Sequence, residues 1–133
     1  YPASLKMNIL KKQHIFKYKD KRLVIKPIKI KHGSIDCMSY IVNDKCAYAS
    51  DISKIYDKDI KYFHNLNYLV IDCLRFQSHP SHFNLDDVLK LTKLVKPKKT
   101  FLTNLNNEMD YKKLIKILPK NIKPAYDGLS FFL

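Results

Sequence analysis

Apolar and polar positions are grouped along this chain in stretches whose periods differ, and each stretch predicts an element. Over 22–31, Ile28 and Ile30 fall on one face with His32, while Lys29 and Lys31 fall on the other, the period of a strand with one buried side. The runs 38–42 and 46–49 predict a hairpin turning at Asn43 and Asp44. Residues 68–74 form a short run that is apolar except at Asp72, as in a strand buried on both faces. The spacing then becomes helical. Leu85, Val88, Leu89, Thr92 and Val95 line one side of a helix that Asn84 can cap, with Asp86 and Asp87 favouring its first turn and Pro97 following its end. A further strand is predicted over 100–105. Asp110 opens a second helix that runs to residue 118, with Leu114, Ile115 and Leu118 inward and Pro119 stopping it. Asp127 and Gly128 form a turn into a last strand over 129–133.

Several strands followed by strand–helix–strand–helix–strand predict an α/β chain whose mixed sheet is covered by helices. At 133 residues one domain is expected over 1–133. No layer precedes the first strand to cover the other side of the sheet, so the domain reads as partial.

Polar residues able to carry chemistry sit where the predicted strands end: His32, Asp51, His79 and His82, with Asn104 at a fifth such place. Loops after the strands commonly build the site in α/β folds. Imidazoles and carboxylates gathered there suit a hydrolytic metal centre, because they bind zinc-like ions that activate water and neutralise a developing oxyanion. Taken singly, each histidine is more often a surface or hydrogen-bonded residue than a ligand.

The order of the short motifs is more specific than any one of them. Lys31-His32-Gly33, Tyr48-Ala49-Ser50-Asp51, the run from Leu69 through Asp72 to Arg75, His79-Pro80-Ser81-His82-Phe83, Phe101-Leu102-Thr103-Asn104-Leu105 and Pro124-Ala125-Tyr126-Asp127-Gly128 follow one another. This series resembles the metallo-β-lactamase-fold hydrolases, in the branch that includes phosphoribosyl cyclic phosphate phosphodiesterases, from about residue 23 onward. Tyr1, Pro2 and Leu5 are weakly similar to a Tyr-Pro-Pro-x-Leu segment lying further upstream in that family. The resemblance implies the C-terminal part of an αβ/βα sandwich. It implies that His32 is a metal ligand and that Asp51 is the carboxylate bridging two divalent metals, zinc or manganese. His82 then lies by the substrate phosphate as a candidate proton donor to the leaving group. His79 shapes the same loop, Asp72 and Arg75 support the site, and a small phosphodiester is the implied substrate.

Two departures limit what the chain can do alone. The family's HxHxDH signature, source of most ligands, does not occur in this sequence. Where the family has Thr-His, this chain has Thr103-Asn104, and an amide is a far poorer zinc ligand than an imidazole. Two ligands, His32 and Asp51, fall short of the three that a catalytic zinc usually takes. The isolated chain is therefore expected to be inactive and to hold no stoichiometric metal. The alternative is one half of a split enzyme, completed by a separately encoded N-terminal chain. A half-sandwich would also leave an apolar sheet face open to that partner or to self-association.

Charge adds a further reading, a lysine-rich module that binds nucleic acid without sequence preference. The net charge is +13, and over 6–31 the single acid is Asp20. Only Arg22 and Arg75 are arginines, however, and base and phosphate readers favour arginine's planar fork, so nucleic acid ranks below the hydrolase reading. Cys37, Cys46 and Cys73 show no CxxC spacing and read as reduced thiols of a cytoplasmic protein. The start of the chain lacks the pattern of a secretory signal. No apolar run approaches the roughly 20 residues of a membrane span, so no membrane partner is expected. Binding to DNA or RNA should be weak, sequence-blind and steeply salt-dependent, because lysines meet phosphates as point charges. Fluorescence anisotropy with unrelated oligonucleotides across a salt series checks this, and tight selective binding at physiological salt would reverse the ranking.

Overall fold

The alternation over 22–31 is realised as a long strand around which the first half of the sheet assembles. A computed structural model describes residues 8, 9 and 11–133. The strands are β1 (His14–Tyr18), β2 (Lys21–His32), β3 (Ile35–Val42), β4 (Cys46–Ala49), β5 (Lys54–Ile55), β6 (Tyr68–Asp72), β7 (Lys99–Thr103) and β8 (Ile122–Pro124). Two α-helices, α1 (Leu85–Val95) and α2 (Tyr111–Ile117), and a 3-10 helix at Asp57–Phe63 complete the elements. All strands join one mixed sheet in the order β1-β2-β3-β4-β6-β7-β8, with β5 paired to β2. β1 to β4 are antiparallel neighbours, whereas β4, β6, β7 and β8 pair in parallel. β2, β4, β6 and β7 therefore point the same way, and their C-terminal ends reach one edge of the sheet.

The predicted hairpin forms at β3 and β4. Asn43 and Asp44 both take positive φ, 51° and 53°, a conformation that asparagine and aspartate tolerate best among residues with a Cβ. The Asn43 side chain also accepts the Val24 N–H at 2.8 Å, which ties the turn to β2. Helix α1 begins with a reciprocal cap: the Asp87 N–H donates to the Asn84 side chain, and the Asn84 N–H donates to the Asp87 carboxylate. Lys96 ends it in a left-handed conformation before Pro97.

Paired residues share a face, so the strand registers sort the side chains into two layers. On one face lie Ile28, Ile30, Ile41, Ala47, Ala49, Leu69, Ile71, Leu102 and Ile122, in a single buried cluster with Phe63 of the 3-10 helix, Val88 and Val95 of α1, and Leu114 of α2. The opposite face carries Ile25, Pro27, Tyr40, Val42, Tyr48, Val70 and Phe101. Most of these are only half-buried, and Tyr48 is exposed. No helix among the described residues joins that layer. Phe131 stacks there on Tyr68 and Phe101, with ring centroids 4.3 and 5.3 Å away.

Several sequence expectations need correction. Residues 129–133 form no strand, because the segment lies across the rings of Tyr68 and Phe101 instead of joining the edge. The strand beside β7 is β8, short and ending at Pro124, where the alternation is too brief to read. Ile115 was expected inward but is exposed, since the short α2 turns only Leu114 fully into the core, with Leu118 packed against it. In α1, Leu91 is buried where Leu89 was expected, and Leu89 is only partly buried. The likeness at Tyr1, Pro2 and Leu5 lies outside the described residues. No helix among the described residues is long and apolar enough to cross a membrane.

The two faces of α2 give a direct test. Leu114→Ala should cost about 2–5 kcal/mol of stability by leaving a cavity, while Ile115→Ala should stay within about 0.5 kcal/mol. Urea denaturation of both variants measures the contrast.

Candidate metal centre

Chain direction gathers the candidate residues. His32 is the last residue of β2, Asp51 follows β4, Asp72 ends β6 and Asn104 follows β7, all at the same sheet edge. Asp51 and Asn104 leave their strands with φ near 51° and 56°, turning the chain sharply so that both side chains stay at the edge. The Asn104 amide nitrogen lies 3.0 Å from Ser50 Oγ and 3.5 Å from Asp51 Oδ1. Asn104 thus clasps the neighbouring carboxylate.

The segment between β6 and α1 supplies His79 and His82, and its backbone is braced from within. Arg75 donates from Nε to the Gln77 carbonyl at 3.3 Å and from a terminal nitrogen to the Ser78 carbonyl at 2.6 Å. The Ser81 N–H donates to His79 Nδ1 at 3.3 Å, with Ser81 Oγ 3.2 Å from the same nitrogen. Arg75 and His79 therefore shape the loop. Desolvation, with the Arg75 charge next, holds the His79 imidazole below its usual pKa and favours the neutral ring.

Two hydrogen bonds orient the other histidines. His32 Nδ1 donates to the Ser81 carbonyl at 2.8 Å. His82 Nδ1 meets Asp72 Oδ2 at 2.5 Å, and the Ile52 N–H donates to the same oxygen at 3.2 Å. With both Nδ1 atoms committed, each neutral ring presents a bare Nε2, the arrangement that supports metal-binding histidines. Asp72 is fully buried, and this burial pushes its carboxyl up from the usual range, against the opposing pull of His82, the Ile52 N–H and Asn104.

The rings of His32 and His82 meet edge to face, with centroids 4.6 Å apart. Ligand atoms of His32, Asp51 and His82 all lie within 4.8 Å of one another. Two imidazoles and a carboxylate are a donor set for one zinc-like cation. They do not suffice for two, because the fourth strand end offers only the amide of Asn104. Sequence reasoning named all three residues, His32 and Asp51 as ligands and His82 as a proton donor. It also gave no role to Ser81 and Gly33, although both stand inside the quoted motifs. Gly33 has φ +60°, and a Cβ there would lie 3.0 Å from the Ser81 Cβ. The His-Gly step lets β2 turn directly under the loop that orients His32.

No protein-family model and no curated protein matches the sequence. Solved structures do match in fold. A diphosphatase of the PhnP family superposes with a TM-score of 0.83 at 26% identity, covering 93% of this chain and 47% of its own. The metallo-β-lactamase-fold protein YhfI from Bacillus subtilis gives 0.74 at 18% identity, covering 97% and 56%. The short form of human tRNase Z gives 0.62 at 14% identity, covering 89% and 44%. The chain has the metallo-β-lactamase fold, and it spans about half the length of the structures it matches.

Gly33→Ala should disturb His32 through Ser81. The positive φ alone costs about 1–2 kcal/mol, and the Ser81 contact adds to it. A lowered denaturation midpoint with a shifted His32 ring resonance is the expected outcome, and an unchanged resonance would remove Gly33 from the site.

Proposed function

We propose that the chain is the C-terminal half of a metal-dependent phosphodiester hydrolase, in which His32 and Asp51 hold metal and His82 gives a proton to the leaving group. One observation carries the reading. His32, Asp51 and His82 converge from three separate segments, with both imidazoles fixed through Nδ1. Relatedness in fold to a diphosphatase supports a phosphate-ester substrate.

A divalent cation bound here, zinc or manganese, would supply positive charge for the phosphoryl oxygens and an activated water. The remaining work falls to the chain's own groups. Asp72 accepts from His82 Nδ1, which fixes the ring so that a proton on Nε2 faces the site. A proton carried on that nitrogen can pass to the leaving group. Asn104 orients Asp51 by donating to its Oδ1. His79 and Arg75 keep the loop in place and touch no substrate.

The half missing from this chain is the one that carries HxHxDH, whether upstream in the same polypeptide or encoded apart. Its sheet would lie on the open face formed by Ile25, Pro27, Tyr40, Val42 and Val70, as the second layer of a sandwich. Without it the chain is proposed to be inactive, because the ligand set is incomplete.

Reassembly tests this reading. Mixed with an HxHxDH half from a relative of the same fold, the assembly should hold no more than one metal, and Asn104→His should allow a second together with hydrolysis of a cyclic phosphodiester. His82→Ala on that background should lower kcat by about 10²–10⁴. Metal analysis and a cyclic-phosphodiesterase assay give the result, and turnover by the chain as it stands would overturn the reading.

A further inference from the structure

We infer that this chain by itself holds a single divalent transition-metal ion through His32, Asp51 and His82, with Asp72 as the group that fixes His82 for the task. The inference rests on the reading of this edge as a metal centre, but not on the reaction proposed for it. It departs from a ligand count of two, and it gives His82 a second role that excludes the first at any moment. Its Nε2 can carry a proton or a cation, not both.

Three features of the site support a ligand role for His82. The first is proximity. All three ligand atoms lie within 4.8 Å of one another, whereas ligands of one tetrahedral cation with bonds of about 2.1 Å sit roughly 3.5 Å apart. The difference is within the reach of the Asp51 side chain, which is exposed while His32 and His82 are half-buried. The second is orientation. A ligating histidine typically donates its other ring N–H to a carboxylate or a backbone carbonyl. Here each occurs once, with His82 on Asp72 and His32 on the Ser81 carbonyl. The third is the state of Asp51. Its Oδ1 faces the Asn104 amide, which leaves Oδ2 for a cation. Three protein ligands with an open fourth position match a zinc site of the catalytic kind.

The ring pair also has an electrostatic reason to take a cation between its members. With their Nδ1 atoms hydrogen-bonded, the two adjacent rings each keep Nε2 as the nitrogen open to a cation, beside the carboxylate of Asp51. A cation there satisfies all three groups together. When further ligands arrive from a second half, His82 becomes dispensable to the metal and is released for proton transfer. Metal retention by the half-chain and catalysis by the assembly would thus share one imidazole.

Cobalt(II) is a suitable probe, because its visible absorption reports ligand number and its unpaired electrons shift nearby proton resonances. The purified full chain, titrated at neutral pH, should bind one equivalent and develop tetrahedral-type absorption. The ring protons of both His32 and His82 should shift, a readout that needs no substitution. His82→Ala should weaken binding at least 100-fold, and Asp72→Asn by about 10–100-fold, the range for removing an outer partner of a ligand. His64→Ala, at an exposed histidine away from the site, should change nothing. Circular dichroism confirms that the variants fold, and the ring-proton shifts decide the matter if His82→Ala does not. Binding that leaves His82 unshifted, affinity equal in His82→Ala and the parent chain, or no stoichiometric binding would each overturn the inference. Those failures, with turnover kept by the reassembled Asn104→His enzyme, would leave the hydrolase reading standing. One-equivalent binding through His82 with no turnover in that assembly would overturn the hydrolase reading alone.

Discussion

The hydrogen bond between Asp72 and His82 is the interaction on which the site loop depends. Asp72 ends β6 inside the fold with no exposed surface. A carboxylate in that position is costly to ionise unless donors surround it. His82 and the Ile52 N–H both approach the same oxygen, one from the loop before α1 and one from the segment after β4. Partnering this one oxygen therefore joins two of the segments that carry candidate ligands, while the buried Asp72 Oδ1 has no hydrogen-bond partner. The loop is held independently at its other end, where Leu74 and Phe83 are linked through backbone hydrogen bonding and Phe83 donates to the Ile52 carbonyl. Residues 75–82 are left as a closed excursion with Arg75 bracing its interior.

The sheet's asymmetry has a physical cause in its sequence. β6 is apolar at every position before Asp72, so it is fitted for burial on both faces. Among the described residues only one face receives helices. Leu69 and Ile71 are fully buried there, while Tyr68 and Val70 on the other side are half-buried by neighbouring strands and by Phe131. Lys29, Lys99 and Lys123 lie on the same side as Val70, spread across the face. Such a layer combines an apolar middle with charged positions, as a surface between two sheets of a sandwich does at its rim. The same charges oppose stacking of one copy on another.

Elements with a strong local pattern were readable from sequence. The long alternation of β2, the Asn43-Asp44 turn, the apolar run of β6 and the capped α1 each carried a period or a cap that few alternatives fit. The elements that were missed or misjudged depend on tertiary contacts. β8 has three residues and is defined by its pairing with β7. Residues 129–133 have the composition of a strand, yet ring stacking on Tyr68 and Phe101 takes them off the edge. The position of Ile115 turned on where a two-turn helix meets the sheet. At the site, His32, Asp51, His79, His82 and Asn104 were read as strand-end residues; His32, Asp51 and Asn104 lie at strand ends, whereas His79 and His82 lie within the loop between β6 and α1. The direction of each imidazole was hidden, because it is set by Asp72 and by the Ser81 carbonyl, 10 and 49 residues away in sequence. That direction decides whether His82 counts among the donors.

Asn104 bears on how many cations the proposed centre could take. An imidazole at this strand end could have offered nitrogen to a second cation. The amide offers N–H instead, and it points that donor at Ser50 and Asp51. The donor on Oδ1 holds the orientation of the Asp51 carboxylate and leaves Oδ2 open. In the proposed centre three donors would suit one cation, because two divalent ions sharing one bridge repel each other and need a fuller set of anionic and imidazole ligands. The left-handed backbone at Asn104 fits the same account, because asparagine adopts that conformation more readily than most side chains. Turn geometry and amide chemistry therefore favour the same residue, and both place its side chain against Asp51.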